Sequence, residues 1–191
     1  MLSLLKKALE DDCDYYHWVT GQDLPINPEK FDEKLKEGYS YLEYFKLPRL
    51  GWCEGGLIRY QIYGLYDWLD AKNPRQFQWI QKIENWQKRY HFIRPFRNYE
   101  NIYAGSGYFS LYKTDARLLL EKSRKWINFY RYTFCSEESI TQTILLNSER
   151  SGYIINDNLR YIDWSAPIPP KVLDVEDYEK IVDSGCLFCR K

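Results

Sequence analysis

Short extended runs alternate with runs of helical period along most of this chain, and turn residues separate them. Tyr15 to Thr20 is aromatic and β-branched and reads as a strand. Residues 2–10 before it are helical by spacing, with Leu5 and Leu9 one turn apart. Further on, Phe77, Ile80, Ile83 and Trp86 predict a helix over Gln76–Tyr90. Leu159 to Trp164 predicts a strand, and Asp174 to Gly185 a capped helix. Strands and helices in alternation cover each other's apolar faces, which implies an α/β layer architecture.

The remaining punctuation fills in this frame. Gly21-Gln-Asp-Leu-Pro25 predicts a loop directly after a strand. Asn27-Pro28 suits the start of a charged helix over 28–38. Arg59 to Leu65 fits a short strand, Cys53-Glu-Gly-Gly a turn, Asn73-Pro74 a closing turn, and Arg94 to Glu100 a loop. Ala104 to Phe109 is a small-residue turn running into an extended segment. Two helices are expected over 114–123 and 124–132. Ser136 predicts an N-cap, with Glu137 and Glu138 in the first turn and Ile140, Ile144, Leu145 and Leu146 as the body. Ala166 to Pro170 is a proline-rich connector, and Leu187 to Lys191 reads as a strand.

Composition removes several functions. With 45% apolar and 18% aromatic residues, the 191-residue chain is too hydrophobic for disorder. Lys and Arg number 27, as do Asp and Glu, so the basic excess of a generic nucleic-acid binder is lacking. No apolar stretch is long enough for a transmembrane helix. Five cysteines at irregular spacings argue against a disulfide framework and for a reducing compartment. Cys186-Leu-Phe-Cys189 has the spacing of a metal or redox pair, yet a zinc site needs about four ligands. The plainer reading is two small residues on a terminal strand.

Several residues carry chemistry in outline. Asp23, in a loop beyond a strand, either accepts hydrogen bonds from a sugar or base or makes an Asx-turn before Pro25. Asp12-Cys-Asp14 has the spacing of a metal–nucleotide motif but precedes its strand, as a solvated helix end would. Glu137 and Glu138 are explained by the helix dipole. The following body is apolar around more than half its circumference, however, so its start is expected to point inward. A carboxylate placed there could take a proton from a hydroxyl. Lys171, Arg190 and Lys191 either face phosphate or form a solvated tail. Asp177 reads as a helix-stabilising carboxylate without chemistry.

Five segments in order resemble the core-2/I-branching β-1,6-N-acetylglucosaminyltransferase family, which includes the peptide O-xylosyltransferases. They are Asp14-Tyr-Tyr-His-Trp-Val-Thr-Gly-Gln-Asp-Leu-Pro-Ile26, Gly105-Ser-Gly-Tyr-Phe109, Thr133-Phe-Cys-Ser-Glu-Glu138, Leu159-Arg-Tyr-Ile-Asp-Trp164, and Glu176-Asp177 followed by Ser184-Gly-Cys-Leu-Phe-Cys-Arg-Lys191. The resemblance implies a GT-A-like, Rossmann-like α/β glycosyltransferase fold missing its first strands and helices. Residues 1–191 would then be a single partial domain, the C-terminal two-thirds of the family's. It implies an inverting transferase that moves a sugar of GlcNAc or xylose type from a UDP-sugar to a glycan hydroxyl, without metal or other cofactor.

By the same resemblance Glu138 is the general base, and Lys191 contacts the UDP diphosphate, with Arg190 beside it. Ile168 stands where the branching enzymes place a second diphosphate-binding arginine, and Lys171 is the nearby substitute. Asp23, Gly105 and Ser106 fall on the donor side, and Tyr161, Trp86 and Arg89 on the acceptor side. The alternative is an inactive remnant or sugar-binding fragment, with a complementing N-terminal fragment as a partner. Nucleic acid and a membrane span are not expected. The cysteines and the family together suggest a cytoplasmic enzyme, or one peripheral at the membrane, acting on polysaccharide precursors.

Overall fold

The computed structural model describes residues 1–52, 56–94, 101–168 and 170–190. Lys191, the turn at Cys53-Glu-Gly55, the Arg94–Glu100 loop beyond Arg94, and Pro169 lie outside the described residues. The architecture is mixed α/β, with both parallel and antiparallel strand pairs. The chain divides into two compact units.

Unit 1 comprises Met1–Glu43, Tyr108–Arg117 and Arg150–Lys191. Helix α1 (Leu2–Ala8) leads to β1 (Tyr15–His17) and β2 (Asp23–Pro25). Helix α2 (Phe31–Lys34), β3 (Ser40–Leu42), β6 (Phe109–Tyr112), β7 (Ile154–Ile155), β8 (Arg160–Tyr161), α7 (Tyr178–Asp183) and β9 (Phe188–Arg190) complete it. One sheet has the order β1-β6-β3-β7, with only β3 and β7 parallel. The other has the order β2-β9-β8, with Asp23 opposite Arg190 and Arg160 beside Phe188. Tyr41, Leu159, Leu187 and Phe188 form one buried cluster, and Leu173, Ile181 and Cys189 another.

Four sequence expectations in this unit are corrected. Asp23-Leu-Pro25 is a strand, because antiparallel pairing to β9 satisfies its backbone. The charged helix ends at Lys34 and not at residue 38. There the Tyr41 hydroxyl donates to the Lys34 carbonyl and accepts from the Lys36 amide, both at 2.8 Å, so one buried side chain takes over two backbone bonds. Asn27 does not cap through its side chain, which donates to the Cys186 carbonyl at 2.9 Å. The strand expected over 159–164 is confined to Arg160–Tyr161. The capped last helix appears as expected: Asp174 and Asp177 form a reciprocal capping box, and Gly185, at φ +64°, follows the helix.

Unit 2 comprises Tyr44–Gly107 and Leu118–Glu149. It holds β4 (Phe45–Lys46) paired to β5 (Tyr103–Ala104), and the helices α3 (Ile58–Gln61), α4 (Pro74–Arg89) and α6 (Ile140–Leu146). Most of α5 (Lys113–Tyr130) belongs here, its first residues being counted with unit 1. Arg59–Leu65 is not a strand: Ile58–Gln61 is a helical turn. Asn73-Pro74 does not close a region but opens α4. The Asn73 carboxamide accepts the Arg75 amide at 3.0 Å, and Pro74 occupies the first turn, where no amide is needed. The two helices expected over 114–132 are one, because Ala116, Leu119, Ser123 and Tyr130 share a buried face with no Gly or Pro to break it.

Candidate functional site

Around Glu138 the local structure is a 3-10 turn, Ser136–Glu138, and not the first turn of an α-helix. Cys135 enters that turn in the left-handed region at φ 50°, and Ser136 is not the cap. Helix α6 then starts at Ile140, and Ile140 to Leu145 are all buried, as the wide apolar face predicts.

Its start is held by a buried polar network. Ser139 Oγ donates to the Tyr103 carbonyl at 2.6 Å, and the Tyr130 hydroxyl lies 2.9 Å from Ser139 Oγ and 3.0 Å from Thr143 Oγ1. The Gly105 amide donates to the Glu138 carbonyl at 2.9 Å, and Gln142 Nε2 to the Ser106 carbonyl at 2.6 Å. The two motif segments singled out around Gly105-Ser106 and Glu138 are therefore pinned together through the backbone.

The Glu138 side chain is oriented by a residue the sequence reading missed as functional. Arg59 Nη1 donates to Glu138 Oε2 at 2.6 Å, with Arg59 12% and Glu138 36% exposed. The guanidinium packs 4.6 Å from the Trp52 ring centroid. Among the described residues no hydrogen bond falls on Glu138 Oε1. Beside Arg59 lies the fully buried Tyr60, whose hydroxyl pKa is pushed up to about 12 by burial.

Arg59 also lines a cleft of about 230 Å³, with Ile58, Tyr66, Glu84, Lys88 and Phe134. Gly64 forms part of its wall, and a Cβ there would stand 2.9 Å from the Tyr132 carbonyl oxygen, so the approach admits only glycine. Glu84 accepts the Tyr66 hydroxyl at 3.0 Å. Trp86 and Arg89, expected on the acceptor side, are exposed and are not part of this lining; α4 turns Glu84 and Lys88 to it instead.

Unit 1 gathers the other expected residues. Asp23 faces Arg160 at 3.5 Å, with side chains 1% and 0% exposed. Arg160 is the second residue the sequence reading passed over, although it sits inside the Leu159–Trp164 segment. Its guanidinium donates to the Trp18 and Asn158 carbonyls and stacks 4.2 Å from the Tyr108 ring centroid. Burial lowers its pKa, and the Asp23 charge opposes that. The other Asp23 oxygen accepts the Thr20 amide, so this carboxylate is spent inside the fold and is not presented to a sugar.

Arg190 lies 5.8 Å from the same Tyr108 ring, and its Nη2 donates to Gln22 Oε1 at 3.5 Å. Lys171 is not a loose cation: it donates to both Asp177 oxygens, at 2.6 and 2.7 Å. That contact raises the lysine pKa and lowers the carboxyl's. Tyr161 packs against the cluster of Leu173, Ile181 and Cys189. Asp12 and Asp14 pair with Arg117 and Lys113 on the surface. Cys186 and Cys189 are free thiols, and no group of three potential metal ligands occurs among the described residues.

A family model described as Core-2/I-Branching enzyme matches residues 57–181, most of the chain. The chain belongs to the core-2/I-branching enzyme family. This is a glycosyltransferase family, and membership implies a sugar donor and an acceptor. The matched span includes Arg59, Glu84, Gly105, Ser106, Glu138 and Arg160, while Asp23, Arg190 and Lys191 lie outside it. No curated protein matches the chain. Among the described residues no helix is long and apolar enough to cross a membrane.

Proposed function

We propose that this branching-family chain transfers a sugar of GlcNAc or xylose type from a UDP-sugar to a glycan hydroxyl, on a GT-A-like fold, with inversion and without a metal. The observation that supports this is the Glu138 carboxylate, held through one oxygen by Arg59 while the other carries no hydrogen bond among the described residues. That oxygen removes the proton from the acceptor hydroxyl. The acceptor oxygen then bonds to the anomeric carbon from the face opposite UDP. The bond from that carbon to the diphosphate oxygen breaks, and UDP leaves with the electron pair.

On the acceptor side, Glu84 and Lys88 in the Arg59 cleft replace Trp86 and Arg89 as the polar contacts. On the donor side, Arg190 and Lys191 offset the charge that grows on the diphosphate. Lys171 takes no part, because Asp177 occupies it. Gly105 and Ser106 serve as the backbone support of the base.

The test is UDP release from UDP-GlcNAc, UDP-xylose and other donors, measured in EDTA with acceptor glycans. Wild-type release that survives EDTA and is lost in Glu138→Gln is the expected outcome. Release that persists in a folded Glu138→Gln chain removes the base assignment. Calorimetry with UDP reports separately on the donor side, and a folded chain that does not take up UDP removes that assignment.

A further inference from the structure

Helix α4 carries two parallel surface stripes that glycosyl transfer does not use. Trp79, Trp86 and Tyr90 are 59%, 51% and 62% exposed, a large apolar outlay for a surface. Trp79 and Trp86 are seven positions apart, about two helical turns, so they stand above one another, and Tyr90 follows one turn later. Phe92 and Ile93, also exposed, continue the aromatic stripe, with the Phe92 ring 5.7 Å from Trp86. Arg75, Lys82 and Arg89 repeat at the same seven-residue step and are all exposed, making a cationic stripe alongside. Lys82 lies over the Trp79 ring at 5.0 Å and Arg89 over Tyr90 at 5.8 Å.

Charge decides what such a surface fits. The only acidic residue of α4 is Glu84, which is engaged by the Tyr66 hydroxyl in the cleft lining. The outward face is thus positive without compensation from its own helix. A glycan platform needs open ring faces on which sugars stack. Here cations already cover a face of Trp79 and of Tyr90. Exposed Trp and Tyr with flanking Lys and Arg are what settles at the boundary of headgroups and acyl chains.

We infer that the outer face of α4 docks on an anionic lipid surface, with Trp79 and Trp86 entering the headgroup region and Arg75, Lys82 and Arg89 meeting acidic headgroups. This does not depend on the identity of the sugar donor or of the catalytic base.

The test uses the full chain with vesicles of phosphatidylcholine alone and of phosphatidylcholine mixed with phosphatidylglycerol. Cosedimentation is expected only with the anionic vesicles, and raising salt reverses it. Neutralising Arg75→Gln and Lys82→Gln together is expected to lower partitioning roughly thirty-fold, since each cation near an acidic leaflet is worth about a factor of five. Quenching of tryptophan emission by brominated phosphatidylglycerol is expected to weaken in Trp79→Ala. Far-UV circular dichroism confirms that the variants fold.

Absence of binding to anionic vesicles overturns the inference, and so does equal partitioning of the neutralised variant. Retention on an acidic polysaccharide that competes fully with vesicles overturns it in favour of a glycan. A concentration-dependent dimer that Trp79→Ala abolishes, without vesicle binding, overturns it in favour of a second copy.

Discussion

Two of the carboxylate–guanidinium pairs in this molecule, one in each unit, sit in opposite surroundings. Glu138 and Arg59 meet at 2.6 Å with the carboxylate more than a third exposed. Asp23 and Arg160 face each other at 3.5 Å with almost no exposure, and Asp23 Oδ1 and Arg160 Nε have no hydrogen-bond partner. The first pair fixes the direction of the carboxylate and, among the described residues, leaves its second oxygen without a hydrogen bond. In the second, both charges sit where water cannot reach, and each depends on the other to avoid the full cost of burial. The same two functional groups thus leave a carboxylate partly open where solvent has access, and make a structural tie where it does not.

The contrast can be broken from the catalytic end first. Glu138→Gln keeps size and hydrogen bonding but removes the proposed base. UDP release is expected to fall by roughly a hundred- to ten-thousand-fold, while urea unfolding shifts by under about 1 kcal/mol. A comparable loss of stability would show that Glu138 is structural too.

Arg160→Met should do the reverse. It leaves the Asp23 charge buried without its partner, and urea unfolding is expected to register a loss of about 3–5 kcal/mol. Adding Asp23→Leu should recover most of it, because the stranded charge goes as well. If the single variant loses less than about 1 kcal/mol, the pair is not the buried tie described above.

His17 extends the same contrast to pH. Its Nδ1 lies 2.7 Å from Ser110 Oγ, and burial, helped by the Arg160 charge, lowers its pKa to about 4. The unfolded chain binds this proton near the ordinary value of about 6.5. The folded state binds it only at lower pH, so His17 leaves the fold unpenalised above that ordinary value. Stability is expected to fall as pH drops from about 6.5 toward 4, by up to about 3 kcal/mol. Unfolding curves across that window check it, and His17→Gln should flatten the slope.

The smallest effect on stability is expected from Arg59→Met, at most about 1 kcal/mol, because Glu138 can turn to water. Activity should nevertheless drop about tenfold or more as the carboxylate loses its orientation. Steady-state UDP release together with urea unfolding separates the two effects.

The ends of the last helix, the turn at Gly105 and the buried body after Glu138 were legible because each rests on local chemistry. Capping residues, small turn residues and apolar periodicity act over a few positions and leave a mark in the string. The length of the charged helix was not legible, since the Tyr41 hydroxyl that ends it comes from outside that helix. Asp23 was read as a loop residue because nothing near it announces β9 as its partner, which lies far along the chain.

By itself the sequence determined the α/β class, the family and Glu138 as the carboxylate to watch. Those readings come from local spacing and from the order of motifs, which survive without any knowledge of contacts. Only the tertiary structure decided that Arg59 holds Glu138 across 79 positions, that Arg160 ties up Asp23, and that Lys171 belongs to Asp177. A charge can be read from one letter. Whether it is buried, paired or open to a reactant depends on which distant segments the fold packs around it, and that sets the dielectric and the available partners.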